Sequence, residues 1–189
     1  MLEEVKKSVL ESPIVKKGDY DYFVNAISDG VPQMDPIVLR EISLAVHRHI
    51  DLDFDKIVAV EAMGIHLATA LSLETNIPFV IIRKRSYGLP GETEVHQKTG
   101  YGSSNLYINN LHKGDKILII DDVVSTGGTY ISLINTLQDM GVEIKYAVAV
   151  LEKGKGKEIV KTKTGVDILS LVKLDVIDGK VVIESTIDD

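Results

Sequence analysis

The chain has 189 residues, 44% of them hydrophobic, which is enough for one domain with a buried core. Its 28 acidic against 21 basic residues give a net charge of −7, which argues against a surface that coats nucleic acid. The absence of cysteine excludes a disulfide framework, a thiolate nucleophile and a cysteine-ligated metal.

The opening stretch MLEEVKKSVLES is mixed in charge and lacks the apolar run of a signal peptide. No segment reaches the ~18 consecutive apolar residues of a membrane span, so a soluble, cytoplasmic protein without a membrane partner is expected. In MDPIVLREISLAVHRHI, Asp35 is placed as an N-cap and Pro36 at the first helical position, with apolar residues at Val38, Ile42, Ala45 and Val46, which predicts an amphipathic helix. KIVAV (56–60) reads as a strand, GIHLATALSLETN as a helix ending near Asn76, and IPFVII (77–82) as a further strand. Strand, helix, strand implies a parallel crossover. Residues 83–104 hold four glycines and few apolar residues, which predicts a flexible loop of the lid type. The pattern resumes with NLYIN, a Gly114-Asp115 turn, the strand 116–121, a helix over 130–140 stopped at Gly141, and the strand IKYAVAVLE. VDILSLV follows, and then LDVIDGKVVIE, where Asp178-Gly179 between alternating apolar residues signals a hairpin. There is no internal repeat.

The strand 116–121 is apolar up to its acidic end, as expected of a central parallel strand, and an α/β sheet binds ligands at the carboxyl ends of such strands. Asp121 and Asp122 close it, and Ser125-Thr126-Gly127-Gly128-Thr129 opens the next helix, a place where backbone N–H groups and hydroxyls converge on an anion. Carboxylates repel phosphate. Their juxtaposition suits one ligand with phosphate at one end and hydroxyls or a metal at the other. A plain tight turn and a solvated strand end are the structural alternatives. A receiver-type acidic pocket fits less well, because several strand–helix units precede the acid pair. No Walker lysine and no G-x-G-x-x-G occurs. The five histidines are scattered, and His47 and His49 face different ways on one helix, so neither a histidine metal site nor a triad is expected.

Taken whole, ILIIDDVVSTGGT (117–129) resembles the 5-phosphoribosyl-1-pyrophosphate (PRPP) motif of the type I phosphoribosyltransferases. The resemblance spans roughly residues 20–172 and is similar to the adenine-type layout, most of all to that of archaeal hypoxanthine/guanine enzymes, on EAMGI (61–65), RKRSYGLPGE (83–92) and YGSSNLYI (101–108). It implies an α/β fold: a parallel-sheet core over about 35–152 with helices on both faces, a small hood from about 1–34 and 153–189, and a flexible loop over 83–104, all in one domain. It implies that Asp121 and Asp122 are catalytic, hold the ribose hydroxyls and meet Mg²⁺ directly or through water. Ser125, Thr126, Gly127, Gly128 and Thr129 would grip the 5-phosphate. Ala62, Met63, Gly64, Arg83 and Lys84 would hold the pyrophosphate, and Val24 and Lys153 the base. PRPP and a purine are the implied partners, a homodimer the implied assembly.

Adenine-specific members of the family tend to carry arginine where Met63 stands and glutamate where Gly100 stands, and hypoxanthine/guanine enzymes of the human type carry aspartate where Ser125 stands. VLEK (150–153) resembles the strand end of xanthine-specific members, where the lysine contacts the purine. A lysine only donates, which suits a 6-oxo rather than a 6-amino group. Transfer to hypoxanthine or guanine is therefore the leading expectation, with adenine or xanthine as acceptor, or a non-catalytic PRPP-sensing regulator, as alternatives.

Overall fold

The computed structural model describes residues 2–18, 20–99 and 102–189. In chain order the elements are α1 (Glu3–Leu10), β1 (Ile14–Lys17), β2 (Tyr20–Phe23), α2 (Ala26–Asp29), α3 (Pro36–His49), β3 (Lys56–Val60), α4 (Gly64–Thr75) and β4 (Phe79–Ile82). They continue with β5 (Thr93–Thr99), β6 (Gly102–Ile108), β7 (Lys116–Val124), α5 (Gly128–Asp139), β8 (Glu143–Lys153), α6 (Gly156–Thr164), β9 (Ile168–Ile177) and β10 (Lys180–Thr186).

Six strands make the central sheet in the order β10-β9-β8-β7-β3-β4. All neighbours are parallel except β10, which returns antiparallel from β9. Parallel strands need crossovers, and the helices that supply them cover both faces. The two-residue period of each strand divides its side chains between two cores. Ile57, Ala59, Leu118, Ile120, Val148 and Val150 pack with α1, α3 and α4 on one face. Val58, Val60, Ile117, Ile119, Ala147 and Ala149 pack with α5 and with Val160 of α6 on the other. Continuous β-branched runs are what a strand buried on both sides requires.

The local signals hold. Asp35 caps α3, its Oδ1 accepting from the Ile37 N–H at 2.7 Å, with Pro36 in the first turn. Asn76 closes α4 in the left-handed region at φ 57°. Asp178 and Gly179, both at positive φ, turn β9 into β10.

Three elements differ from the expectations. Most of 83–104 is not a loop: β5 and β6 form an antiparallel ribbon that packs on α5, with Val95 and Leu106 buried. Its few apolar residues face one way, so composition concealed a strand pair. Among the described residues of this segment, 84–92 stays irregular, gathered around Glu92, which accepts from the Ser86 hydroxyl, the Tyr87 and Gly88 N–H groups and the Asn109 amide. Second, the C-terminal segment 153–189 continues the core sheet through β9 and β10, and the cover over the strand ends comes from the β1–β2 hairpin and α2. Third, the N-terminal stretch, expected in the hood, holds the helix α1, which packs into the core beside α3. Val5 and Val9 are buried, and Glu41 of α3 accepts from the Glu4 and Val5 N–H groups at 2.9 and 3.0 Å, a cap borrowed from a distant helix.

Candidate active site

Strand register brings the motifs together. Ala59 pairs with Ile120 and Val60 with Ile82, so the turns after β3, β4 and β7 emerge side by side. Val124 pairs with Glu152, which sets Ser125 beside Lys153 at the end of β8. Every candidate of the phosphate, pyrophosphate and acid groups therefore lies at one carboxyl edge. Gly100 lies outside the described residues.

Asp121 and Asp122 end the apolar part of β7, and their carboxyls hydrogen-bond one another. Burial pushes Asp121 up to about 6, against the pull of the hydrogen bond from Asp122 and of the Lys84 ammonium. Burial first, and then the charge of Asp121, hold Asp122 well above the ordinary carboxylate range. Two desolvated acids side by side cannot both ionise without a counter-charge. Beneath them Tyr130 is buried and donates to the Val148 carbonyl at 2.6 Å, and burial plus the two carboxylates keep it protonated.

Beyond the acids, Ser125 and Thr126 lead into α5, whose N-terminus at Gly127 carries no side-chain cap. Gly127 adopts φ +77°, and a Cβ there would meet Val160 Cγ2 at 2.7 Å and the Gly156 carbonyl at 2.9 Å. Conformation and packing both demand glycine. Gly64 opens α4, again without a side-chain cap, and a Cβ on it would stand 3.1 Å from the Ile120 carbonyl and 3.2 Å from Asp121 Oδ1. This glycine lets the Ala62–Gly64 turn press onto the end of β7. The Arg83 guanidinium pairs with Glu61 at 2.8 Å, and the Lys84 N–H bonds the same carboxylate. Glu61, the first residue of EAMGI, was given no role in the sequence, yet it fixes the basic strand end beside the Ala62–Gly64 turn.

A cavity of 140 Å³ lies next to the acids, lined by Tyr22, Phe23, Ser28, Asp122, Val123, Ser125 and Lys153. Lys153 Nζ stands 5.8 Å from the centre of the Phe23 ring. Val24 is not there. It lines a separate cavity with Ser8, Asn25 and Pro32, and its N–H bonds the Pro13 carbonyl at 2.9 Å. The strand β2 ends at Phe23, and the chain turns away there, so the next residue lines a different pocket. Phe23, Tyr22 and Ser28 were missed because nothing in one sequence fixes the register of a hairpin over a distant strand end. The hood closes on the other turns as well: His66 hydrogen-bonds the Ile27 backbone, and Met63 Cε approaches Gly30.

Among the described residues no three His, Cys, Asp or Glu side chains converge as a metal site, and no helix is long and apolar enough to cross a membrane.

The sequence pattern of the phosphoribosyl transferase domain matches residues 35–181. Among curated proteins, a hypoxanthine/guanine phosphoribosyltransferase of Methanobacterium paludis is 58% identical over 189 residues, covering 100% of both chains. One of Methanobrevibacter ruminantium is 60% identical over 188 residues, covering 99% of this chain and 100% of its own. Among solved structures, the adenine phosphoribosyltransferase of Thermoanaerobacter pseudethanolicus superposes with a TM-score of 0.75 at 24% identity, over 92% of this chain and 99% of that one, a likeness of fold. With a domain pattern that covers most of the chain and relatives matched end to end, the protein belongs to the phosphoribosyltransferase family.

Proposed function

We propose that this chain is a cytoplasmic purine-salvage enzyme that moves 5-phosphoribose from PRPP to hypoxanthine or guanine, giving IMP or GMP and pyrophosphate. The observation that carries the reading is the single strand edge on which a half-buried acid pair, an uncapped helix turn, a basic strand end and a cavity with two aromatic rings and one ammonium stand next to each other. The names of the curated relatives support the same acceptors.

In this reading Ser125 to Thr129 receive the 5-phosphate on backbone N–H groups and hydroxyls at the positive end of α5. Asp121 and Asp122 accept from the ribose hydroxyls. The Ala62–Gly64 turn, Arg83 and Lys84 take the pyrophosphate. The base lies on Phe23, and the ammonium of Lys153 donates to its 6-oxo group. The purine nitrogen attacks the anomeric carbon as the bond to pyrophosphate breaks, and the purine's N–H proton passes to solvent. Positive charge grows on the ribose beside Asp121 and Asp122 while negative charge grows beside Arg83 and Lys84, so placement and fixed charge do the catalysis.

The acid pair fits Mg²⁺: two desolvated carboxylates have only the Lys84 ammonium to offset them, and this ion binds through one or two carboxylates together with substrate oxygens and water. Bound there, it would neutralise charge on the diphosphate. A homodimer is part of the proposal, supported by a cavity of 740 Å³ between α3 and α4, lined by Pro36, Leu39, Ile65, Ala70 and Leu73, the last 79% exposed.

The test is incubation with PRPP, Mg²⁺ and each of hypoxanthine, guanine, xanthine and adenine in turn, with identification of the nucleotide. IMP and GMP are expected. AMP or XMP as the main product overturns the base assignment, and PRPP binding without transfer to any base leaves a sensor.

A further inference from the structure

The turn between β8 and α6 belongs to none of the motifs, yet it touches both ends of the site. It starts at Lys153 in the base cavity and ends at Gly156 against the phosphate loop. A Cβ on Gly156 would lie 2.4 Å from the Ser125 carbonyl oxygen, 2.6 Å from its carbon and 3.1 Å from the Gly127 nitrogen. The contact is reciprocal, since a Cβ on Gly127 would strike the Gly156 carbonyl and Val160. Two turns distant in sequence thus interlock backbone to backbone, with no side chain that could swing aside. Gly156 is not at positive φ, so conformation alone does not call for glycine there. Contact does.

The start of α6 is fastened independently of that contact. Glu152, 8% exposed, accepts from the Ser170 hydroxyl at 2.5 Å, and Lys157 Nζ donates to the same hydroxyl at 3.2 Å and stands 3.8 Å from the carboxylate. This cluster ties the first turn of α6 to β8 and β9, while Val160 anchors the next turn in the core. Fixed from below, Gly156 becomes a rigid stop behind Ser125 and Gly127.

Resting on the proposed function, we propose that Gly156 is a positioning residue for the 5-phosphate, and that the Glu152–Ser170–Lys157 cluster holds it in place. It touches no ligand. It sets where the N–H groups of the phosphate loop point, and the short turn to Lys153 fixes that loop against the base cavity.

The test compares Gly156→Ala with Gly165→Ala, a control at the other end of α6, where glycine is at φ +75° with open space around it. Calorimetric titrations with PRPP and with pyrophosphate are run on each variant, beside thermal melts. Gly156→Ala should weaken PRPP by about tenfold or more, the loss of one hydrogen bond to a charged group, and leave pyrophosphate affinity unchanged. Gly165→Ala should lower the melting temperature and leave both affinities at the wild-type values. A folded Gly156→Ala with wild-type PRPP affinity, or an equal loss for both ligands, overturns the proposal. Should Gly156→Ala not fold, Lys157→Met decides: a selective loss for PRPP of about threefold, from a loosened stop, upholds it, and no loss overturns it. Wild-type protein that binds no PRPP refutes the functional reading instead.

Discussion

The phosphate end and the base end of the site are built in different ways. The phosphate end is one strand, one turn and one helix, contiguous over 116–139, and its chemistry is written in a row: acids, hydroxyls, glycines. The base end is assembled from the β1–β2 hairpin, α2 and the tip of β8, and its lining residues come from two stretches far apart in the chain, 22–28 and 153. Local motifs survive as text because backbone geometry fixes their spacing. A pocket assembled from distant elements depends on where each element ends and which element it meets, and neither is written in its own residues.

The comparison breaks most visibly at Gly127. Gly127→Val places a branched side chain at φ +77° where even a Cβ meets Val160 and the Gly156 carbonyl. PRPP affinity should fall by roughly a hundredfold or more, with a loss of stability on the order of 1–3 kcal/mol, while purine binding at the other end persists in the folded fraction. Unchanged PRPP affinity by calorimetry would reduce the loop to a turn.

Asp122→Asn separates function from stability. Transfer should fall by about a hundredfold, as for loss of a positioned charge in a desolvated site. Stability should move the other way. The folded carboxyls bind protons that the unfolded chain has already released, so the apo protein loses stability as pH rises from about 4 through about 6 and beyond. An amide does not ionise and removes that penalty. Above pH 7 the apo variant should melt a few degrees higher than wild type, about 2–4 °C for each kcal/mol. At pH 4 the two should melt alike. A variant less stable at both pH values would make the acid pair a structural element.

Lys153→Met tests the base end. Hypoxanthine and guanine should each lose about ten- to a hundredfold in kcat/KM, the value of one hydrogen bond from a charged donor, and adenine should lose little. PRPP affinity without purine should not change. Equal loss on all purines would place Lys153 among the structural lysines.

The smallest effects sharpen the register. Phe23→Leu should raise the KM for purine by roughly fivefold to fiftyfold through lost stacking, whereas Val24→Ala should change it by about twofold at most, as for a substitution outside the pocket. Reversed results would return Val24 to the base site.

The legible parts of the fold were those with a local cause. The Asp35–Pro36 helix start, the Asn76 stop, the Asp178-Gly179 hairpin and the β7 motif each follow from a residue's own conformational or capping preference. The β5–β6 ribbon was hidden because Val95, Leu106 and Ile108 are its main buried apolar residues, too few to show an alternation. Helix α1 was hidden because its cap, Glu41, lies in another helix. Glu61 and Gly156 were hidden for the same reason: their partners, Arg83 and Ser125, are neighbours only after the sheet has formed.

The ribbon changes how a cover over this site would work. A floppy loop must be ordered anew at each encounter with substrate, at about 1–2 kcal/mol of backbone entropy per residue. Here β5 and β6 are already paired in a continuous ladder, and Arg83 and Tyr107 exchange two backbone hydrogen bonds, at 3.1 and 2.7 Å, that join the ribbon to the end of β4. Most of that ordering is complete once the chain has folded. Packed on α5 through Val95 and Leu106, and bonded to the end of β4 at Arg83, which also pairs with Glu61, the ribbon is a fixed wall beside the basic edge.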